Sequence, residues 1–152
     1  MLAESDARLL IDVEAIKNLK SRYGRCVDDA VSHYTPEKLK KLGEIFSDDV
    51  VADFGLPSGT LKGREAIQKF ISGVRGARSW MWHSFHSPEI EIVGDHAVGH
   101  WTVYCLATNA GSNQVDVIVG RYRDEYLRTP QGWLQSRLTF SNETRDSSGS
   151  HS

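Results

Sequence analysis

The sequence predicts an α+β protein, with three helices in the first half of the chain and a curved, mostly antiparallel sheet built largely from the second half. Two observations lead to this fold class. Apolar residues recur at helical spacing only in the first half, and long runs typical of strands follow one another after about residue 80, separated by short turns. Such a sheet buries one face against the helices.

Three segments have the pattern of amphipathic helices. The first runs from Ala7 to about Ala30, and its apolar stripe includes Tyr23. The stretch "TPEKLKKLGEIF" predicts the second, with Thr35 as N-cap and Pro36 at the first helical position. The stretch "GREAIQKFISGV" places four apolar residues on one face and predicts the third.

Strand patterns fill the rest of the chain. The stretch "DDVVADFG" predicts one strand between the second and third helices. Four longer strands are predicted at Met81 to Val93, Ala97 to Ala107, Val115 to Arg128 and Trp133 to Phe140. We therefore expect a single domain over residues 1–142, followed by a disordered polar tail over residues 143–152.

Composition excludes several classes of function. The chain has 18 Lys and Arg against 20 Asp and Glu, a formal charge of -2, and its basic residues are scattered, so no nucleic-acid partner is expected. Because no apolar run could span a bilayer and no signal peptide is present, we expect a cytoplasmic protein without a membrane partner. Cys26 and Cys105 lie in predicted regular elements without zinc spacing, so we expect reduced thiols, no metal and no cofactor.

Two polar residues of the first helix are candidates for a pocket on the concave side of the sheet. Tyr23 lies on the apolar stripe, so its hydroxyl must find a buried partner or reach a cavity. Asp28 lies near the helix end, where the helix dipole opposes a negative charge, which is a mild indication of function. The plainer interpretation is an ordinary core tyrosine and a solvated aspartate.

The stretch "WMWHSFHSPEIEIVGD" places His83 and His86 three positions apart at the start of a predicted strand. In a regular strand such positions point to opposite faces, so both can enter the pocket only if the pleat is interrupted, as Pro88 would allow. Either histidine, oriented by a carboxylate such as Asp28, could transfer a proton near neutral pH, with Tyr23 donating to a developing oxyanion.

Other residues are secondary candidates. Asp53 could serve as an alternative base, and Arg137 could hold an acidic substrate group, although a structural ion pair explains Arg137 as well. Tyr104 is the ionisable group of its strand segment, "VYCLAT". The predicted pocket wall consists of Phe54, Trp82 and Trp101.

Five stretches spread over residues 11–140 resemble the SnoaL-like domain of the nuclear transport factor 2-like superfamily, which includes scytalone dehydratase, bile acid 7α-dehydratase and ketosteroid isomerase. They are "AIKNLKSRYGRCVDD", "EIFSDDVVADFG", "GREAIQKFI", "HSFHSPEIEIVGDHAVGHW" and "GRYRDEYLRTPQGWLQSR". The resemblance implies a cone-shaped α+β barrel and matches Tyr23, Asp28 and His83 to the catalytic residues of the dehydratases. It also implies a homodimer or homotrimer.

The resemblance implies a cofactor-independent lyase or isomerase that acts by acid-base chemistry on a hydrophobic, steroid-like or polycyclic carbonyl compound, with polyketide cyclisation as a related reaction. Two alternatives use the same fold. One is a non-catalytic domain for small-molecule binding or assembly, and the other is the small subunit of a ring-hydroxylating oxygenase.

Overall fold

The computed structural model describes residue 1 and residues 3–145, in which three helices and six strands form. The elements, in chain order, are α1 (Glu4–Ser32), α2 (Pro36–Gly43), β1 (Phe46–Asp53), β2 (Leu61–Lys62), α3 (Arg64–Val74), β3 (Arg78–Val93), β4 (His96–Asn109), β5 (Val115–Thr129) and β6 (Gly132–Asn142). Most of the tail predicted to be disordered lies outside the described residues, so that expectation stays a prediction. None of the described helices is long and apolar enough to cross a bilayer.

The strands form one six-stranded sheet in the order β2-β1-β6-β5-β4-β3. All neighbouring pairs are antiparallel except β1 and β6, which are parallel. The predicted fold class, a curved and mostly antiparallel sheet with three helices on its concave face, is therefore confirmed. The sequence pattern missed β2, because a two-residue strand is too short to show alternation.

Local sequence features explain where the elements begin. Thr35 caps α2 as expected, since its side chain accepts a hydrogen bond from the backbone N–H of Lys38 at 3.3 Å, and Pro36 opens the helix. The third strand of the chain, β3, begins at Arg78, earlier than predicted. The Arg78 guanidinium donates to Asn109 and Asp116, which fixes this end of β3 to β4 and to the start of β5.

The hydrophobic core lies between the inner face of the sheet and the apolar stripe of α1. Residues at helical spacing on α1, including Ile16, Leu19, Tyr23 and Val27, are almost completely buried. Helix α1 packs most extensively against β3. The stripe that makes the core therefore also places the C-terminal half of α1 directly over the inner face of β3.

One buried ion pair interrupts this apolar core. Lys20 on α1 and Asp124 on β5 are both fully buried, with Nζ 2.7 Å from Oδ2. The Lys20 ammonium also lies against three aromatic rings, with Nζ 3.7 Å from the ring centroid of Tyr122, 4.4 Å from that of Phe85 and 4.6 Å from that of Tyr23. Cation–π contacts of this kind partly replace the hydration that the ammonium loses on burial.

Removing one partner of this pair should destabilise the fold strongly. We expect Lys20→Met to lower the free energy of unfolding by about 3–5 kcal/mol, because it leaves an uncompensated carboxylate in the core. The double variant Lys20→Met, Asp124→Leu should recover much of that loss, since neither charge then remains. Urea unfolding followed by circular dichroism measures both; equal stability of Lys20→Met and wild type would contradict the expectation.

Candidate active site

A cavity of about 210 Å³ lies between α1, α3 and the inner face of the sheet. Its wall is mainly apolar and includes Val27, Ile71, Met81 and Phe140. Four polar side chains interrupt the wall: Tyr23, His83, Cys105 and Tyr122. A concave apolar site with a few converging polar groups is the usual form of a small-molecule site.

Asp28 holds His83 through two hydrogen bonds. Its Oδ1 lies 2.6 Å from Nδ1 of the imidazole, and its Oδ2 accepts the backbone N–H of His83 at 2.9 Å. The first bond ties α1 to the ring and the second ties α1 to the strand, so neither the helix nor the imidazole can turn independently. Since an ionised carboxylate only accepts, Nδ1 carries the hydrogen, and Nε2 is the nitrogen left for the cavity.

The surroundings of His83 determine its charge. Its side chain is 7% exposed, and burial alone would lower its pKa. The hydrogen bond to Asp28 and the neighbouring Cys105 thiol together outweigh burial, so that the pKa of His83 is raised to about 9. The imidazole is therefore protonated at neutral pH and becomes a base only as the pH approaches 9.

Two phenols face the cavity together. The hydroxyls of Tyr23 on α1 and Tyr122 on β5 lie 3.4 Å apart, and both side chains are almost fully buried. Burial raises the pKa of both phenols, so both stay neutral and keep their protons for donation. Such a pair can donate two hydrogen bonds to one carbonyl or enolate oxygen.

Cys105 lies directly across from His83. The two residues are register partners on β3 and β4, and both side chains are on the inner face of the sheet. The Cys105 side chain is 3% exposed and borders the cavity. As expected from the sequence, the cysteines among the described residues are free thiols.

The two histidines of the sequence motif separate to opposite faces of β3. His83 faces the cavity, whereas His86 is exposed on the outer face, with its ring centroid 5.2 Å from that of Tyr104. The pairing is regular between His83 and His86 and shifts register just after His86, where Ser87 has a φ of 48°. His86 and Tyr104, which is 51% exposed, therefore do not reach the cavity.

Two further polar candidates also lie away from the cavity. Asp53 is the last residue of β1, and its Oδ1 accepts the backbone N–H of Gly55 at 2.9 Å, which is a turn-forming bond. Arg137 on β6 alternates with the buried Leu138 and therefore belongs to the outer face of the sheet. Neither side chain borders the cavity.

The predicted pocket wall needs two corrections. Phe54 does border the cavity. Trp82 instead lies on the outer face and is 59% exposed, because it neighbours the inward-facing His83 in a strand of period two. Trp101 is buried in the core away from the cavity, where its Nε1–H donates to the hydroxyl of Tyr126 at 3.1 Å.

The sequence interpretation missed Tyr122 and treated Cys105 only as a small apolar residue. A signal for Tyr122 is present in "GRYRDEY", where Tyr122, Asp124 and Tyr126 alternate with Arg121 and Arg123. Because the two arginines face outward, the period of two along a strand places Tyr122, Asp124 and Tyr126 on the inner face. Over the residues that the structure describes, no three His, Cys, Asp or Glu side chains are grouped to hold a metal ion.

The comparisons with known proteins agree with the fold. The family model described as a SnoaL-like domain matches residues 8–139. A hexachlorocyclohexane dehydrochlorinase, LinA-type3 from Novosphingobium barchaimii LL02, is 26% identical, with a TM-score of 0.77 and coverage of 91% of each chain. No curated protein matches the sequence significantly.

Two further solved structures, both from Novosphingobium aromaticivorans, have the same fold. An NTF2-like protein with a cystatin-like fold is 25% identical, with a TM-score of 0.77 and coverage of 94% of this chain and 89% of that one. A scytalone dehydratase-like protein is 18% identical, with a TM-score of 0.77 and coverage of 89% and 86%, and this likeness concerns the fold alone.

The Asp28–His83 pair should make stability depend on pH. Since the pKa of His83 is about 9 in the folded state against 6.5 in the unfolded chain, the pair stabilises the fold fully below 6.5 and loses its contribution as the pH rises through 9. We expect Asp28→Asn to lower the His83 pKa and to flatten this dependence. Histidine ring NMR titration and urea unfolding between about pH 6 and about pH 10 measure both; a wild-type His83 pKa equal to that of a solvent-exposed histidine would refute the assignment.

Proposed function

This chain belongs to the SnoaL-like domain family, and from that premise we propose that it is a cofactor-independent lyase that eliminates water, or a comparable leaving group, from a compact apolar carbonyl compound. The Asp28–His83 pair carries this proposal. It presents one imidazole nitrogen to an otherwise apolar cavity, close to two phenols that can donate to an oxygen. The dehydrochlorinase neighbour supports the same class of reaction.

The proposed reaction uses His83 to carry one proton. Neutral His83 removes a proton through Nε2 from the carbon next to the substrate carbonyl, and the negative charge that develops on the oxygen is stabilised by Tyr23 and Tyr122. The imidazolium then returns this proton to the departing hydroxyl, which leaves as water. Asp28 holds the ring and stabilises its positive charge in between.

The cavity volume limits the size of the substrate. At about 210 Å³ it is smaller than the roughly 300–1,000 Å³ typical of drug-sized ligands. An engineered cavity of roughly 150 Å³ in another protein accepts benzene. We therefore propose a substrate of one or two rings, which is smaller than the steroid-like or polycyclic compound predicted from the sequence.

The dehydrochlorinase neighbour supports elimination over other reactions of the superfamily. Dehydrochlorination, like dehydration, removes a proton and a leaving group from adjacent carbons. The name of the LinA-type3 protein, which is 26% identical to this chain, assigns that chemistry to it. Isomerisation and cyclisation begin with the same proton removal and differ in where the electrons and the proton finish. A non-catalytic binding domain would keep the cavity but would not need the proton carrier.

Turnover of a simple β-hydroxy ketone tests the proposal. We expect wild type to convert 3-hydroxycyclohexanone to 2-cyclohexen-1-one, with kcat/KM rising with pH and levelling off near the His83 pKa of about 9. His83→Gln should lower kcat by about a hundredfold or more, because the proton carrier is lost. Tyr23→Phe should lower kcat by about a hundredfold through loss of an oxyanion donor. Ultraviolet absorbance of the enone measures all three.

The turnover test has a matched control and a clear contradictory outcome. Asp53→Asn removes a carboxylate away from the cavity and should leave kcat unchanged. Unchanged turnover in His83→Gln would contradict the proposed chemistry. Saturable binding of cyclohexanone without turnover of any β-hydroxy ketone tested would favour the binding-domain alternative.

We propose that the chain also self-associates through the outer face of β3, β4 and β5. This face exposes several large apolar side chains, including Trp82, Tyr104, Leu106 and Val117. An exposed apolar cluster of this kind on one face of a sheet is typical of a subunit interface. A homodimer or homotrimer would bury it.

Trp82→Glu should weaken this association, because it places a charge within the proposed apolar interface. Sedimentation velocity should show a dimer or trimer for wild type and a shift toward monomer for the variant. Ile11→Glu is the matched control, since Ile11 is similarly exposed but lies on α1. A monomeric wild type, or an equal effect of both variants, would refute the interface.

A further inference from the structure

We propose that Cys105 is a site of covalent addition, at which the thiol captures neutral α,β-unsaturated carbonyl compounds inside the cavity. The site consists of Asp28, His83 and Cys105. Asp28 holds one nitrogen of the imidazole, and His83 and Cys105 are neighbours on adjacent strands that border the same cavity. A thiol next to an imidazole that is itself oriented by a carboxylate is the arrangement that activates a nucleophile.

Three observations place the thiol where it can act. Cys105 and His83 are direct register partners on neighbouring antiparallel strands, where facing Cβ atoms lie about 4.5–5.5 Å apart. Both side chains border the same cavity although both are more than nine-tenths buried. Because Nδ1 of His83 is bonded to Asp28, Nε2 is the ring nitrogen that remains to take a proton from the thiol.

The addition step balances without any further reagent. The Sγ atom bonds to the β-carbon of the enone while its proton passes to Nε2 of His83. The electron pair of the carbon–carbon double bond moves onto the carbonyl oxygen, where the hydroxyls of Tyr23 and Tyr122 stabilise the enolate. The enolate then takes the proton from His83 at its α-carbon, which leaves a thioether and restores the neutral imidazole.

The cavity also defines the class of ligand. Its wall is mainly apolar and its volume is about 210 Å³, so a neutral cyclic enone of one ring fits and a charged thiol reagent is disfavoured.

Capture of the reaction product is the one part of this inference that rests on the proposed function. Eliminating water from a β-hydroxy ketone produces an enone, so the reaction product is itself a ligand that Cys105 would capture, and the enzyme would slow as product accumulates.

Cys26 provides a control within the same chain. It lies on α1 and does not border the cavity. Burial, followed by the Asp29 carboxylate, raises its pKa, which keeps the thiol protonated. A reagent that simply samples accessible thiols should therefore not prefer Cys105, which is the more buried of the two.

Intact-mass spectrometry with 2-cyclohexen-1-one tests the site. We expect one adduct per chain, mapped to Cys105 by peptide analysis, with a rate that rises toward pH 9 as His83 becomes neutral. His83→Gln should slow the reaction at least about tenfold, and Cys105→Ala should abolish it, whereas Cys26→Ser should react like wild type. Saturated cyclohexanone, which binds but cannot react, should protect Cys105 in the unaltered protein, and this arm depends on no variant.

Two outcomes would overturn the inference. The first is labelling of Cys26 in preference to Cys105, and the second is no adduct on folded protein under conditions that label both cysteines after unfolding in urea. The labelling reaction needs no turnover, so its failure is distinguishable from that of the proposed lyase activity. Adduct formation without elimination would support Cys105 as a capture site and contradict the lyase activity. Elimination without an adduct would support the lyase activity and contradict the capture site.

Discussion

The hydrogen bonds between Asp28 and His83 fix the geometry on which the rest of the cavity depends. One carboxylate oxygen accepts a hydrogen bond from the ring nitrogen and the other accepts one from the backbone N–H of the same residue, so both bonds join the end of α1 to β3 at His83. That junction settles which imidazole nitrogen is left for the cavity. It also sets the rotation of α1, which in turn aims Tyr23, about one and a half turns earlier, at the same cavity.

The same helix stripe carries the buried ion pair. Lys20 lies about one turn before Tyr23, and its ammonium touches the rings of both phenols that face the cavity. Hydrophobic residues of similar volume often stabilise a core as well as a buried ion pair does. What the pair adds here is a fixed position for Tyr122, whose ring is held by Lys20 on one side and whose hydroxyl contacts Tyr23.

The sequence predicted the fold better than it predicted the cavity. Helical stripes and strand alternation are repeated over many residues, so the sequence predicted the types of the longer elements correctly. It missed β2 because that strand spans only two residues. The wall of the cavity depends on the parity of single positions, and an error of one residue moves a side chain to the opposite face. Trp82 is an example. Its aromatic side chain suggested a pocket residue, but its position next to the inward-facing His83 places it on the outer, exposed face of β3.

Burial and hydrogen bonding act on His83 in opposite directions, and the balance suits the proposed elimination. Without Asp28, burial in an apolar cavity would lower the pKa of the imidazole and make it a weaker base. The hydrogen bond to Asp28 helps to raise this pKa to about 9, which makes His83 a stronger base. Among the described residues that border the cavity, no carboxylate or second imidazole is present to exchange protons with it. A single proton carrier in an apolar cavity favours reactions in which the proton that is taken returns to the same substrate. Dehydration meets this condition, because the proton removed from carbon leaves on the hydroxyl.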